Sequence, residues 1–280
     1  MKISVISTVY NVEEYIDRCV SSILNQTLTD LEFIVVNDCT PDNSIEVIQK
    51  YTSDSRLRII NNPINLGAGK SRQVGIDHAQ GDYTIFVDAD DWLELDCLEK
   101  MYNKVIETGS DICSCNVRHH NIYGCVTYCK KGSSVVRPDL FNFINNKLIN
   151  RNIWDKTNYS PLRLNEDINT LYRCLHFANK VELVSYAGYN YNIRPNSLCT
   201  TKNNELRWEV YKALAVIENL EFMKILNEPV SLDFYRNYNI QRVCYHLFNI
   251  GLYKNTLKLT QFEEEINYIK QYLNNNYYGK

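Results

Sequence analysis

Asp88, Asp90 and Asp91 stand together directly after the apolar run Tyr83-Thr84-Ile85-Phe86-Val87. Carboxylates at that spacing offer hard oxygen ligands for a Mg²⁺- or Mn²⁺-sized cation, and a cation so held can neutralise a phosphate. The run before them has the β-branched and aromatic content of a buried strand, and Gly81-Asp82 ahead of it is turn chemistry. The acids therefore fall at the C-terminal end of a strand, the edge of an open α/β sheet where ligands bind. A competing reading makes Asp90 or Asp91 the N-cap of a helix running from Glu94. A second acidic pair, Glu166-Asp167, opens a helical pattern, and acids at a helix start are ordinarily cap and dipole partners.

The elements that must position these acids follow from periodicity. Lys2 to Thr8 reads as a strand, and Val12, Tyr15, Ile16, Cys19, Val20, Ile23 and Leu24 form one stripe of an amphipathic helix. Leu31 to Val36 is a near-continuous apolar run of the kind parallel strands show, ending in Asn37-Asp38, and Thr40 to Ser44 starts a second helix. A third strand is expected over Leu57 to Ile60, a third helix over Gly67 to Ala79, a fourth strand over Asp82 to Val87 and a fourth helix over Glu94 to Thr108. This alternation predicts a doubly wound parallel sheet with right-handed crossovers. Beyond the strand Asp111 to Val117 the rhythm breaks into short pieces (Tyr123 to Cys129, Ser134 to Arg137), a helix from Asp139 to Leu148, a helix with Ile168, Leu171, Cys174 and Leu175 on one face, and two short strands within Val181 to Tyr191. From Asn203 onward long helical patterns predict a separate all-α segment. Its aromatics (Trp208, Tyr211, Tyr235, Tyr238) read as packing residues, with a homo-oligomer contact or a peripheral membrane surface as the alternative.

Composition narrows the function classes. The 280 residues are 45% hydrophobic and 22% charged, which is ordinary globular usage, and 30 basic against 33 acidic residues leave a net charge of −3 with no basic block. That argues against a nucleic-acid partner held through phosphates. No apolar run approaches the about 20 residues of a membrane span, and the N-terminal KISVISTVYN reads as a first strand, so a cytoplasmic location is expected. The ten cysteines then read as reduced thiols. The group Cys113, Cys115, His119, His120, Cys125 and Cys129 contains no CxxC pair, and Cys113 and Cys115 face one way in an alternating strand, so buried thiols are expected ahead of structural zinc.

Two phosphate-loop patterns fail on inspection. Gly69-Lys70-Ser71 ends like a P-loop, but the first glycine would fall on Ile64. Gly67-Ala68-Gly69 begins like a dinucleotide fingerprint, but Arg72 stands at its third glycine position. What survives is a tight Asn65-Leu66-Gly67 turn into a helix, with Lys70 and Arg72 near the same sheet edge.

Taken together, the segments SVISTVYN with EEYIDRCVSSILNQT (Ser4 to Thr27), EFIVVND with TPDNS (Glu32 to Ser44), NLGAGKSRQVG (Asn65 to Gly75), GDYTIFVDADDW (Gly81 to Trp92), WDK (Trp154 to Lys156), NED (Asn165 to Asp167) and YNYNIRPNS (Tyr189 to Ser197) resemble the inverting family 2 glycosyltransferases of bacterial surface-polysaccharide type. The resemblance implies a GT-A fold, a Rossmann-like mixed α/β sheet, over residues 1–202, with a nucleotide-binding half at 1–117 and an acceptor half at 118–202. The helical segment at 203–280 would follow it. It implies a UDP-sugar donor, Mn²⁺ or Mg²⁺, and a hydroxyl of a glycan, glycolipid or glycoprotein as acceptor, with the enzyme cytoplasmic or peripheral at the inner face of a membrane. Thr8 and Tyr10 would line the base pocket, Asp38 would accept the uracil imide hydrogen, and Arg72 would lie close to the nucleotide. Asp88 would contact the ribose or a water on the cation, Asp90 would bind the cation directly, and Arg194 and Ser197 would belong to a loop closing over the donor. Asp167 would be the base. The chain departs from the family at Cys39-Thr40, where a Gly-Ser turn is commoner, at Gln73, where asparagine is usual, and in a short link from Lys156 to Glu166.

The chemistry of the residues agrees with that assignment. Displacing a nucleoside diphosphate needs charge stabilised on the leaving phosphate, and one carboxylate base on the opposite face gives single displacement with inversion. The rival enzyme is a nucleotidyltransferase, which also uses paired aspartates but carries a Gly- and Lys/Arg-rich loop after its first strand, where this chain has Thr8-Val9-Tyr10-Asn11. A catalytically silent sugar-nucleotide-binding assembly subunit is the non-enzyme rival, and the presence of Asp167 counts against it.

Overall fold

In a computed structural model of the chain, the structure describes residues 1–121, 124–128, 144–162 and 166–194, with Asn267 and Gln271 as isolated helical positions. Two units are distinguished: residues 1–161 with 170–195, and residues 162–169 with 196–280. The expected pieces at Ser134 to Arg137 and Asp139 to 143, the residues Cys129 and Ser197, and the helices after Asn203 lie outside the described residues apart from those two positions.

The first unit is built on a mixed sheet. Strands β1 (Ile3–Val9), β2 (Leu31–Asn37), β3 (Leu57–Asn61) and β4 (Tyr83–Phe86) are parallel in the order β3-β2-β1-β4. Their neighbouring residues face opposite ways. Val5, Phe33, Val35 and Ile85 pack with Ile16, Cys19, Val20 and Ile23 of helix α1 (Ile16–Leu24) and with Leu98, Met101 and Val105 of helix α4 (Cys97–Thr108). Ile6, Ile34, Val36 and Phe86 pack on the other face with Val74 and Ile76 of helix α3 (Ala68–His78) and with Leu171 and Cys174 of helix α5 (Glu166–Phe177). A short helix α2 (Ser44–Ile48) adds Ile48 to the first of these cores. Apolar residues on both faces of each strand are what parallel strands covered by helices require.

The sheet ceases to be parallel beyond β4, so the doubly wound parallel expectation holds for four strands and gives way to a mixed sheet. Strand β8 (Lys147–Asn150) runs antiparallel between β4 and strand β6 (Ile112–Asn121). This corrects the expected helix from Asp139 to Leu148 at its end. Leu148 and Ile149 are both fully buried, yet they belong to cores on opposite faces, and adjacent residues point oppositely only in a strand. Strand β7 (Gly124–Tyr128) pairs antiparallel with β6.

Strand β9 (Val181–Asn192) lies parallel to β6 as one continuous element where two short strands are expected. The pairing slips around Asn116, so Cys115 opposes Val184 while Asn116 opposes Ala187 and Val117 opposes Tyr189. Residues that read as a break between strands are thus an irregularity within one strand. Gly188 sits there because a Cβ would collide with the Cys97 sulfur. The two residues Trp92–Leu93 form β5, antiparallel to β9, and delay α4 to Cys97. Cys113 and Cys115 are buried in the same core as Cys97, which agrees with the buried-thiol reading.

Candidate active site

The acidic turn leaves β4 at the end of the parallel sheet, and each of its three carboxylates is engaged from elsewhere in the chain. Arg72 of α3, itself buried, donates from Nη2 to Asp88 Oδ1 at 2.7 Å. Asn145, in the turn before β8, donates from Nδ2 to Asp88 Oδ2 at 2.6 Å. Arg194 donates from Nε to Asp90 Oδ2 at 2.6 Å. Asp91, 1% exposed, accepts from the Tyr189 hydroxyl at 2.6 Å and from the Asn192 N–H at 2.8 Å. The Tyr189 hydroxyl in turn accepts from the Asp88 N–H at 3.2 Å. None of these acids caps α4, whose N-cap is Asp96, so the capping reading of Asp90 and Asp91 is overturned.

Oxygens of Asp88, Asp90 and Asp91 lie within 4.8 Å of one another. Burial raises the Asp90 carboxyl above the usual carboxylate range, the neighbouring Asp88 charge adds to it, and Arg194 offsets part. Burial pushes Asp91 up further, reinforced by Asp90 and Asp88. The donor set is oxygen only and crowded, which fits a hard divalent cation, with the guanidiniums of Arg72 and Arg194 paired to Asp88 and Asp90 and that of Arg18 close enough to feel Asp90 and Asp91. The three acids are not equivalent candidates. Asp88 and Asp91 each have both oxygens held by protein donors, whereas Asp90 meets a single side chain among the described residues, Arg194.

Asp38, after β2, is 3% exposed and held by three donors. Its Oδ1 accepts from Asn62 Nδ2 at 2.9 Å and the Leu66 N–H at 2.7 Å, and its Oδ2 accepts from the Gly67 N–H at 2.8 Å. The expected tight turn at Asn65-Leu66-Gly67 is therefore wrapped around the Asp38 carboxylate at the start of α3. Gly67 takes φ 82°, where a side chain would be strained. Cys39 takes φ 56°, so the position where the family favours glycine is a left-handed one occupied here by a β-carbon. Thr8 is half-buried at the end of β1, and Tyr10 beyond it is 50% exposed.

A wall of aromatic residues lies beside Arg72. Trp154 donates from Nε1 to Thr84 Oγ1 at 2.7 Å, Tyr159 meets Phe86 edge-on at 5.2 Å, and the Arg72 guanidinium lies 5.3 Å from the Tyr159 ring centre. Gln73 fastens this wall to α3 by accepting the Tyr159 N–H at 2.6 Å.

Asp38, Arg72, Asp88, Asp90 and Arg194 thus all belong to the first unit. Asp167 belongs to the second unit, in the first turn of α5, where its Oδ1 accepts the Ile168 N–H at 2.8 Å. Sequence reasoning missed Asn145 and Tyr159, which carry no motif. It quoted Tyr189 and Asn192 within a motif without giving them a role.

The sequence profile described as Glycosyl transferase family 2 matches residues 4–177, so the chain belongs to that family and is a glycosyltransferase with a GT-A fold. This decides against the nucleotidyltransferase reading. Among its relatives, the chain is 26% identical over 277 residues to an uncharacterized glycosyltransferase EpsJ of Bacillus subtilis, covering 92% of this chain and 76% of that protein. It is 41% identical over 112 residues to the glycosyltransferase GlyA of Streptococcus pneumoniae, a match spanning 40% of this chain and 16% of GlyA. In three dimensions it is similar to residues 1–349 of Staphylococcus aureus TarS, crystallised with UDP-GlcNAc. The TM-score is 0.76 at 21% identity, over 98% of this chain and 81% of that one. No helix among the described residues is long and apolar enough to cross a membrane.

Proposed function

We propose that the enzyme transfers a sugar from a UDP-sugar to a hydroxyl of a glycan, glycolipid or glycoprotein in surface-glycan synthesis, with inversion at the anomeric carbon and dependence on Mn²⁺ or Mg²⁺. The observation that carries the reading is the crowded carboxylate turn at the end of β4, beside the buried Arg72. The UDP-GlcNAc in the TarS crystal supports uracil as the donor's base. Residues 1–202 would form the transferase domain, and 203–280 a helical segment serving peripheral membrane contact or self-association.

In this reading Asp90 would hold the cation with Asp88 beside it, the chemistry supplied there being Lewis-acid stabilisation of charge on the leaving diphosphate. Thr8, Tyr10 and Asp38 receive the base, Asp38 using the capacity left on an already oriented carboxylate. Arg72 orients Asp88 and brings positive charge toward the nucleotide, while Arg194 and Ser197 act from the donor-covering loop. Asp167 takes the proton of the attacking hydroxyl.

Replacing Asp167 with asparagine keeps the shape and removes the base. Transfer by Asp167→Asn should fall ~10²- to 10⁴-fold, the usual cost of losing a general base, with UDP affinity within about twofold of wild type. Coupled nucleotide-release kinetics with calorimetry would measure both. Near-wild-type transfer by a stably folded variant would remove Asp167 from the role and turn attention to Glu166.

A further inference from the structure

Asp91 and Tyr189 are the most deeply buried polar pair of the site, and neither has a part in the reaction as described. Tyr189 is 2% exposed and its hydroxyl does two things at once, accepting the Asp88 N–H at 3.2 Å and donating to Asp91 Oδ2 at 2.6 Å. The other Asp91 oxygen accepts the Asn192 N–H at 2.8 Å, two residues before Arg194, whose Nε holds Asp90 at 2.6 Å. One carboxylate and one phenol therefore tie both ends of the Asp88-to-Asp91 turn to the end of β9. Nothing else described joins the backbone of that turn to the strand that delivers Arg194. The strand cannot slide without breaking the tie, because the same residues are paired to β5, Asn190 opposite Trp92 and Tyr189 opposite Leu93.

We infer that Tyr189 and Asp91 form a clasp that positions the carboxylates of Asp88 and Asp90 together with Arg194 for the diphosphate, Asp91 acting as a positioning residue rather than a cation ligand. A carboxylate with both oxygens occupied by protein donors, buried and out of solvent, has little left to offer an ion, whereas it is well placed to hold two chain segments in register. The hydroxyl is essential to this function, since a phenyl ring fills the same space but leaves the Asp88 N–H and Asp91 Oδ2 without their shared partner. The inference rests on the proposed nucleotide-diphosphate site.

The test compares UDP with uridine, because their affinity ratio isolates what the diphosphate contributes. In Mn²⁺ the ratio should fall about tenfold or more in Tyr189→Phe, the order expected when the two buried hydrogen bonds of one hydroxyl are lost, with uridine affinity unchanged. Asp91→Asn should lower it as well, and the Tyr189→Phe/Asp91→Asn double variant should be no worse than the weaker single variant, since the two residues act as one unit. Should Tyr189→Phe be too unstable to assay, Asp91→Asn and Mn²⁺ titration by electron paramagnetic resonance decide the matter. The clasp predicts that Mn²⁺ alone still binds Asp91→Asn within a fewfold of wild type, and complete loss would make Asp91 a ligand and overturn the clasp. An unchanged UDP-to-uridine ratio in a folded Tyr189→Phe protein, or additive losses in the double variant, would overturn it too. A wild-type ratio indifferent to Mn²⁺ would instead count against the cation, and the clasp would still stand or fall on whether Tyr189→Phe lowers that ratio.

Discussion

Two buried acidic centres lie in the same parallel sheet and behave oppositely. Near the start of β2, Glu32 is 3% exposed and fully answered: its Oε1 accepts from Ser4 Oγ and the Gln80 N–H, each at 2.6 Å, and its Oε2 lies 3.3 Å from Arg58. One charge there meets several donors from three elements, and the result is a seam. Where β4 ends, three carboxylates share a space of 4.8 Å, and burial with mutual repulsion raises Asp90 and Asp91. A buried acid by itself therefore does not mark a site. Like charges crowded into one buried space do, because their mutual repulsion is costly unless a bound cation shares them.

Exchanging the consequences is the sharpest way to break this contrast. Asp90→Asn should lower the transfer rate by roughly 10²- to 10³-fold, the scale of losing one charge-stabilising group, and leave the melting temperature unchanged or higher. Glu32→Ala should do the reverse, losing ~1–3 kcal/mol of stability through the orphaned Ser4 and Gln80 donors while turnover at a permissive temperature stays within about twofold. The exposed Arg58 adds little to that loss. Thermal melts and steady-state rates on both proteins would check the crossing.

A third acid refines the contrast through pH. Burial alone would raise Asp42, but hydrogen bonds from the Ser44 and Thr40 hydroxyls and from the Glu13 and Ser44 N–H groups bring its pKa down to about 2. A carboxyl depressed in the folded state stabilises it above the unfolded pKa and loses that contribution as pH falls through the folded one. The stability gap between wild type and Asp42→Asn should therefore hold steady above pH about 4 and shrink toward pH about 2. Denaturant melts across that window would show it.

The smallest effect is expected at Cys39, whose φ of 56° suits glycine. Cys39→Gly should raise stability by about 1 kcal/mol or somewhat less, since relief of the left-handed strain is partly cancelled by the freedom gained in the unfolded chain and by losing the thiol contact to the Asn62 carbonyl. Chemical denaturation of the two proteins would measure the difference.

What could be read in the sequence follows the same division. The parallel half was legible because each of its strands is apolar on both faces and α1 and α4 each carry one apolar stripe, whereas α3, which buries Gly69, Ser71, Arg72 and Gly75, showed itself through the Asn65-Leu66-Gly67 turn that starts it. Beyond β4 the pattern misleads. Leu148 reads as the end of a helix, and only its burial on the face opposite to Ile149 reveals a strand; Val181 to Tyr191 reads as two short strands, because its register slip shows only against β6, far away in sequence. At the site, the aspartates were visible because their chemistry is local. The partners of those aspartates were not: Asn145 meets Asp88 from 57 residues away, and Tyr189 meets Asp91 from 98.

UDP titrated into wild type and Asp90→Asn, each in Mn²⁺ and again after EDTA, addresses the acidic turn most directly. Wild-type affinity should drop at least about tenfold on chelation, while Asp90→Asn should start near the chelated value and respond little to EDTA. Wild-type binding that ignores EDTA, or an Asp90→Asn protein that binds UDP with full Mn²⁺ enhancement, would contradict the assignment of this turn as the cation-bridged diphosphate site.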